Sequence, residues 1–472
     1  MAVSIDSFLK EKFLSKFPFD PTPCQSVLFE KLSKFISGVY DGDIFIVNGY
    51  AGTGKTEAIG AVVKVLKEYK VKFRLMAPTG RAAKVLNGYT SERSTTIHKQ
   101  IYRQKSMESG VGIFTIDHNK DNDTIYIVDE ASLISIDSSN STFGSGNLLD
   151  DLITYIRNGN DNKIIIIGDN AQLPPVSLDR SPALDISYME GYGPVEWATL
   201  KSVVRQSGES GILYNATLIR TAIAMEHSGS IPRMSTSGYD DVENITGGEL
   251  IEALEGAISK YGLEETVVLC RSNKRANRYN NGIRGSVLLR EERLVRGERL
   301  MVVKNCYQFL EEIKELDFIA NGDIAELVKV GQYEERYGLH FAQARLSFPD
   351  YDDIEISAKI ILDTLESESA SLSPEQQRAL YEGVYADYEH LSTKKKRNEA
   401  VREDPYYNAL QIKYSSAITC HKSQGGQWKC VFIDNPFWQG EVSTDDLKWL
   451  YTAITRGVEK VYFVNFDKGL FE

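Results

Sequence analysis

The run GYAGTGKT, Gly49 to Thr56, constrains this chain more than any other feature. Before it, DIFIVN reads as a short buried strand. After it, EAIGAVVKVLKEYK carries apolar residues at helical spacing. In a strand–glycine loop–helix unit, backbone N–H groups wrap phosphate oxygens and the helix N-terminus adds a favourable dipole. Gly52, Thr53 and Gly54 supply that wrapping backbone. Lys55 reaches the outer phosphates, and the Thr56 hydroxyl can hold Mg²⁺. A chance match to the pattern would not bring both the strand and the helix with it. ATP and Mg²⁺ are therefore the expected cofactors. Upstream, Gln25 falls just inside a helix start in FPFDPTPCQSVLFEKL, and its amide can both donate to and accept from an adenine edge.

Two further strands end in chemistry that suits a phosphate. NDTIYIVDE closes on Asp129, expected to hold the Mg²⁺ shell, and Glu130, expected to orient and polarise the attacking water. KIIIIGDNAQLPPV ends at Asp169, with Gln172 placed to sense the γ-phosphate or that water, and Pro174 and Pro175 stiffen the exit. Three such strands predict one parallel sheet with its ligand at the carboxyl ends.

The remaining composition bounds the rest. A chain of 472 residues exceeds one compact core and should divide into two to four domains. Its longest apolar runs are far shorter than the roughly 20 residues of a membrane span, and the N-terminus has no signal-peptide core, so a soluble, cytoplasmic chain with no membrane partner is expected. The five cysteines lack zinc-ligand spacing and read as reduced thiols. A net charge of −12 argues against coating nucleic acid, while leaving room for a local basic groove with salt-sensitive binding.

The order of the remaining motifs resembles the superfamily 1B helicases, the group of RecD-like, Pif-like and small phage Dda-type enzymes, and the Dda type most of all. The pieces are GYAGTGKT, APTGRAAKVL, TTIHK, VDEAS, GDNAQLPPV, VVRQ, NKRANRYNNGIR, ITCHKSQGGQW and LYTAITR, running from Gln25 to Arg456. The resemblance implies an α/β chain of two RecA-like P-loop motor domains. The first, 1–211, carries a β-hairpin pin at about 100–123. The second, 212–290 with 405–472, is interrupted by an SH3-like insertion with a helical arm at 291–404. It also implies that Arg205 and Arg456 meet the γ-phosphate, a role that suits a planar guanidinium. After HKSQG the family commonly has an acidic residue two positions on. Here the run is Gly425-Gly426-Gln427, and Gln427 is left to hydrogen-bond a ribose or backbone group of the nucleotide.

The implied activity is ATP hydrolysis coupled to movement along single-stranded DNA, 5′-to-3′, with duplex unwinding by a monomer at single-strand/duplex junctions. The contacts read from the residues carry no base identity. They are Thr79 and the backbone after Pro78 at a helix N-terminus, and the donor set Thr419, His421, Lys422, Ser423 and Gln424. Thr96 and His98 join them by resemblance. Phe114, the only Phe of the hairpin segment, follows the turn-like SMESGVG and is the candidate strand-separation wedge, against a plain packing role. The arm after Ser373 is expected to brace that hairpin. The run Lys394–Arg397 reads as a solvated helix face or a DNA contact. Two alternatives stay open: a DNA-stimulated translocase that does not separate strands, and a P-loop nucleotide switch with no nucleic acid.

Overall fold

The computed structural model describes residues 4–108, 111–136, 143–176, 178–203, 210–226, 229–306, 319–351, 353–437 and 441–472. A six-stranded sheet forms the first half. Its order is Ser94–Thr96, Lys72–Ala77, Thr124–Val128, Lys163–Gly168, Ile44–Gly49, Val195–Leu200, and every pairing is parallel. Its central strands are continuous apolar runs because both faces are covered. Phe45, Val47, Ile125, Ile127, Ile165 and Ile167 join a core with helices Ile5–Lys16, Pro23–Ile36 and Lys55–Glu68. Their neighbours Ile44, Ile46, Tyr126, Val128, Ile164 and Ile166 point the other way, onto helix Leu148–Arg157. The chain reverses direction across the sheet at Ile44–Gly49, which opens a crevice at that strand's carboxyl end.

A second parallel sheet orders Ala417–Thr419, Thr266–Cys270, Trp428–Asp434, Gly457–Val464 and Val242–Ile245. A closed five-stranded barrel is built from Arg299–Val302, Ile324–Arg336, Leu339–Phe348, Ile354–Ile361 and Leu410–Tyr414. Tyr337 and Gly338, with φ of 54° and 71°, make the two-residue turn between its long strands. The closing strand shifts one expected boundary. The insertion, expected to end at 404, takes in Leu410–Tyr414, whose Ile412 and Tyr414 pair with Val302 and Leu300 and leave the barrel without an edge.

Helices Pro374–Asp387 and Lys394–Glu403 form the arm. They pack on the barrel through Leu380, Val384 and Val401 against Leu339, Phe341 and Ile361, so the barrel itself braces the arm. Strands Tyr102–Glu108 and Val111–Ile116 pair antiparallel as the expected hairpin. All five cysteines are free. No helix among the described residues is long and apolar enough to cross a membrane.

Candidate functional site

The loop after Ile44–Gly49 is shaped by Gly52 and Gly54, at φ 73° and 74°, where a side chain would be strained. Helix Lys55–Glu68 follows Gly54 with no side-chain cap on its first N–H groups. Thr53 is fully buried and its hydroxyl donates to the Tyr50 carbonyl at 2.7 Å. Gln25, also buried, donates through Nε2 to the Thr53 carbonyl at 3.0 Å, while its Oε1 accepts the Thr22 N–H at 2.9 Å. Gln25 thus fastens helix Pro23–Ile36 to the loop. Lys55 Nζ donates to the Gly49 carbonyl and, at 3.0 Å, to that of Tyr50.

Asp129 follows strand Thr124–Val128. Its Oδ1 accepts the Glu130 N–H at 2.8 Å, and its Oδ2 accepts the Tyr89 hydroxyl at 2.7 Å. Glu130 adopts φ 51°, a costly conformation for a non-glycine residue and one that recurs at functional sites. Burial pushes the Glu130 carboxyl above its ordinary range. Arg456 and Lys55 oppose that shift, while the carboxylates of Asp129 and Asp169 add to it. Gln172 is 5% exposed, and its Oε1 has no partner among the described residues. A buried carbonyl oxygen of this kind suits an O–H donor such as a bound water. The Thr56 hydroxyl and the Asp129 carboxylate are hard oxygen donors. That pair fits Mg²⁺, which keeps most of its own waters, better than a metal needing an all-protein cage. No cluster of three metal-ligating side chains occurs among the described residues.

The second half closes the site. Arg456, 3% exposed, follows helix Thr444–Ile454 and is held by its own turn. Its Nε donates to the Thr452 carbonyl at 3.1 Å and its Nη1 to the Gly426 carbonyl at 3.2 Å. Arg205 lies outside the described residues. Four contacts missed in the sequence cross the same seam. Thr452 Oγ1 accepts the Leu173 N–H at 2.9 Å, and Gln424 Nε2 donates to the Leu173 carbonyl at 2.7 Å. The Tyr451 hydroxyl donates to Asp169 Oδ2 at 2.6 Å and accepts the Ala51 N–H at 2.9 Å. The motif LYTAITR held the signal: its Tyr and Thr precede the arginine on one helix.

The expected DNA contacts divide. The Thr79 and Thr96 hydroxyls cap helices, accepting the N–H groups of Ala82 and Lys99 at 3.2 Å each. Pro78 directly precedes the first of these caps. Helix Gly80–Thr90 starts against the barrel: a Cβ on Gly80 would stand 2.6 Å from Asp323 Oδ1. Lys84 Nζ donates to the Pro349 carbonyl at 2.9 Å. Burial pushes His98 down to about 4, leaving it neutral with its ring edge-on to Phe143 at 5.0 Å.

Of the other set, Thr419, His421 and Lys422 retain surface. Ser423 and Gln424 do not, which corrects their assignment as DNA contacts. The Ser423 hydroxyl, fully buried, donates to the Cys420 carbonyl at 2.7 Å, and Gln424, 3% exposed, is spent on Leu173. Gln427 is exposed. Before it, a Cβ at Gly426 would stand 2.5 Å from Arg81 Nε, and the Arg81 guanidinium lies 3.9 Å over the Trp428 ring.

Phe114 also departs from expectation. It pairs with Gln104, well back from the Glu108–Val111 end of the hairpin, and its ring stacks on Phe143 at 4.5 Å. Its apolar surface is used inside the first half, which favours the packing role over the wedge.

Comparison with known proteins agrees with this geometry. The model of an AAA domain matches residues 37–227, and that of a UvrD-like helicase C-terminal domain matches 414–464. An uncharacterized protein of Methanocaldococcus jannaschii is 23% identical over 464 residues, covering 89% of this chain and 36% of that protein. The ATP-dependent RecD2 DNA helicase of Deinococcus radiodurans is 26% identical over 159 residues, covering 33% of this chain and 19% of its own length. The RecBCD enzyme subunit RecD of Buchnera aphidicola is 28% identical over 188 residues, 36% of this chain and 28% of that subunit. The chain therefore spans at most 36% of these curated relatives. Among solved structures, Bacteroides Pif1 in complex with ADP-AlF3 and ssDNA aligns with 96% of this chain and 95% of its own, at 14% identity and a TM-score of 0.46.

The two parallel sheets, the phosphate loop and the two matching family models mark a P-loop protein of helicase superfamily 1. Over about a third of its length the chain is similar to the RecD-type proteins of that superfamily.

Proposed function

We propose that this chain is an ATP-dependent DNA helicase that moves 5′-to-3′ along single-stranded DNA and opens duplex ahead of it. The observation that carries the reading is the seam. Lys55 and Glu130 from the first half and Arg456 from the second act on one another at one buried spot beside Asp169, and the Gln172 N–H bonds the Asp169 carbonyl at 3.2 Å. The two sheets are its RecA-like motor lobes, and the barrel is its SH3-like insertion. Thr56 and Asp129 would hold Mg²⁺, which would supply positive charge against the phosphates. The chain's own residues do the rest. The N–H groups of Gly52 to Thr56 and Lys55 bind the phosphates, and Gln25 fixes the loop beside the base. Glu130 takes the proton of the attacking water, and Gln172 Oε1 accepts that water's other hydrogen. Arg456 meets charge that develops on the γ-oxygens, with Arg205 expected as its companion. The Thr79, Thr96, Thr419, His421 and Lys422 side chains contact the sugar–phosphate strand without reading bases.

A motor that translocates without separating strands is the second reading. The stacking of Phe114 inside the first half favours it, because the hairpin's one phenylalanine is already committed. One pair of assays decides. ATP hydrolysis should be slow alone and rise strongly with single-stranded DNA, and strand displacement should occur on duplexes with a 5′ tail. An unchanged ATPase rate rejects a nucleic-acid motor, activity on 3′ tails alone rejects the polarity, and stimulation without displacement establishes the translocase.

A further inference from the structure

The seam between the two halves holds a relay that the proposed hydrolysis does not itself require. Tyr451 is 1% exposed, Asp169 is 1% exposed, and Ala51 belongs to the phosphate loop. A phenol has one proton and can accept as well as donate. Here the proton goes to Asp169 Oδ2 at 2.6 Å, and the oxygen takes the Ala51 N–H at 2.9 Å. Asp169 is fixed in turn by its own loop, with Oδ1 accepting the Ala171 N–H at 3.0 Å. One side chain from the second half thus binds both the phosphate loop and the loop that carries Gln172. Packing alone would not need this: a Phe would fill the same space among Tyr50, Ala51, Leu173 and Leu450.

Tyr451 also sits on the helix that positions Arg456. Helix Thr444–Ile454 ends two residues before Arg456, and the Arg456 N–H returns to the Ala453 carbonyl at 3.2 Å. Anchoring Tyr451 on Ala51 therefore sets how far the arginine reaches toward Glu130. Neighbouring Thr452 clamps the Leu173 N–H, and Gln424 clamps its carbonyl. The carboxamide oxygen of Gln424, buried, is left with no partner among the described residues. Gln424 closes the segment that begins with the DNA-contact residues Thr419, His421 and Lys422.

We infer that Tyr451 is a positioning residue that ties the phosphate loop to the second half, and that it thereby sets how much DNA is needed to close the site for hydrolysis. This rests on the motor reading above. Without its hydroxyl, Asp169 loses a buried donor and Ala51 its acceptor, penalties felt only when the halves are together. In the open form water satisfies both groups. DNA, which bridges the halves, must then supply the difference.

The test is Tyr451→Phe, assayed by titrating the ATPase of the full chain with oligothymidylate, with ADP affinity measured separately in the absence of DNA. The oligothymidylate concentration for half-maximal stimulation should rise about tenfold or more, the scale of one buried hydrogen bond to a charged group. ADP affinity without DNA should stay within about twofold, because the P-loop contacts remain. Asp169→Asn alone should shift the titration the same way but less, since an amide oxygen still accepts from the phenol. Added to Tyr451→Phe, it should bring little further loss. An unshifted titration overturns the inference, as does an equal loss of ADP affinity, which would mark a purely structural tyrosine. Additive effects in the double variant overturn it too. If Tyr451→Phe does not fold, an unshifted titration of Asp169→Asn overturns it. A wild-type chain that DNA does not stimulate would instead remove the motor reading beneath it.

Discussion

Glu130 is the carboxylate proposed to take the proton of the attacking water, and its surroundings fix its pH response. Burial raises its pKa, Arg456 and Lys55 pull it back, and Asp129 and Asp169 push it up again. A general base acts only when ionised. The ATPase rate should therefore fall, on acidification, at a pH above the ordinary carboxylate value of about 4.3. Glu130→Gln should bind ATP, lose roughly 10²–10⁴ in kcat and lose that acid limb as well. Turnover within a few-fold of wild type would assign the water to another group. At this scale the sequence was informative for side chains that end strands: Asp129, Glu130 and Gln172 follow from a strand meeting a phosphate loop. It was less so where a side chain's orientation decides. Ser423 and Gln424 look the same as Lys422 in a string of donors, yet a single turn sends them inward.

The hairpin shows what an element adds to its residues. The turn-like SMESGVG and the resemblance were enough to predict a hairpin at about 100–123, where strands Tyr102–Glu108 and Val111–Ile116 pair. The destination of the Phe114 ring was not legible, because its partner Phe143 is distant in sequence and joins it through a single parallel bridge. His98 and Tyr102 complete the cluster, with rings 5.0 and 5.3 Å from Phe143. Phe114→Ala should cost roughly 1–3 kcal/mol of stability, less than a fully buried ring because Phe114 keeps some surface. Unwinding and ATPase should then decline together as the melting temperature falls. Loss of unwinding with ATPase intact would restore the wedge. The barrel teaches a similar lesson. An SH3-like insertion was implied at 291–404, but its closing strand, Leu410–Tyr414, lies beyond the helical arm, and only ring closure reveals its membership.

Across the whole molecule the net charge is −12, so any DNA track must concentrate its few cations where they count. Lys422 stands beside Thr419 and His421, and burial together with the Lys413 charge pushes its pKa down to about 8. Burial holds Lys413, whose Nζ donates to the Ser367 carbonyl, at about 8 as well. The pair joins the barrel strand Leu410–Tyr414 to the second sheet's loop, so it belongs to the assembled molecule and to neither part alone. Below a pH of about 8 Lys422 is an ammonium, and a DNA phosphate is attracted to it. Above that pH the free protein must take up a proton before it can make the contact, so binding weakens. Affinity for single-stranded DNA at constant salt should thus be flat toward neutrality and fall as pH rises through about 8. The sign follows from a cation whose charge is lost on the alkaline side. Lys422→Arg keeps its charge throughout and should bind as well at neutrality while losing much of the alkaline decline. Fluorescence anisotropy of a labelled oligothymidylate across that range would measure it. A wild-type curve that stays flat through about 8, or an arginine variant that declines just as steeply, would place the phosphate contact on other residues.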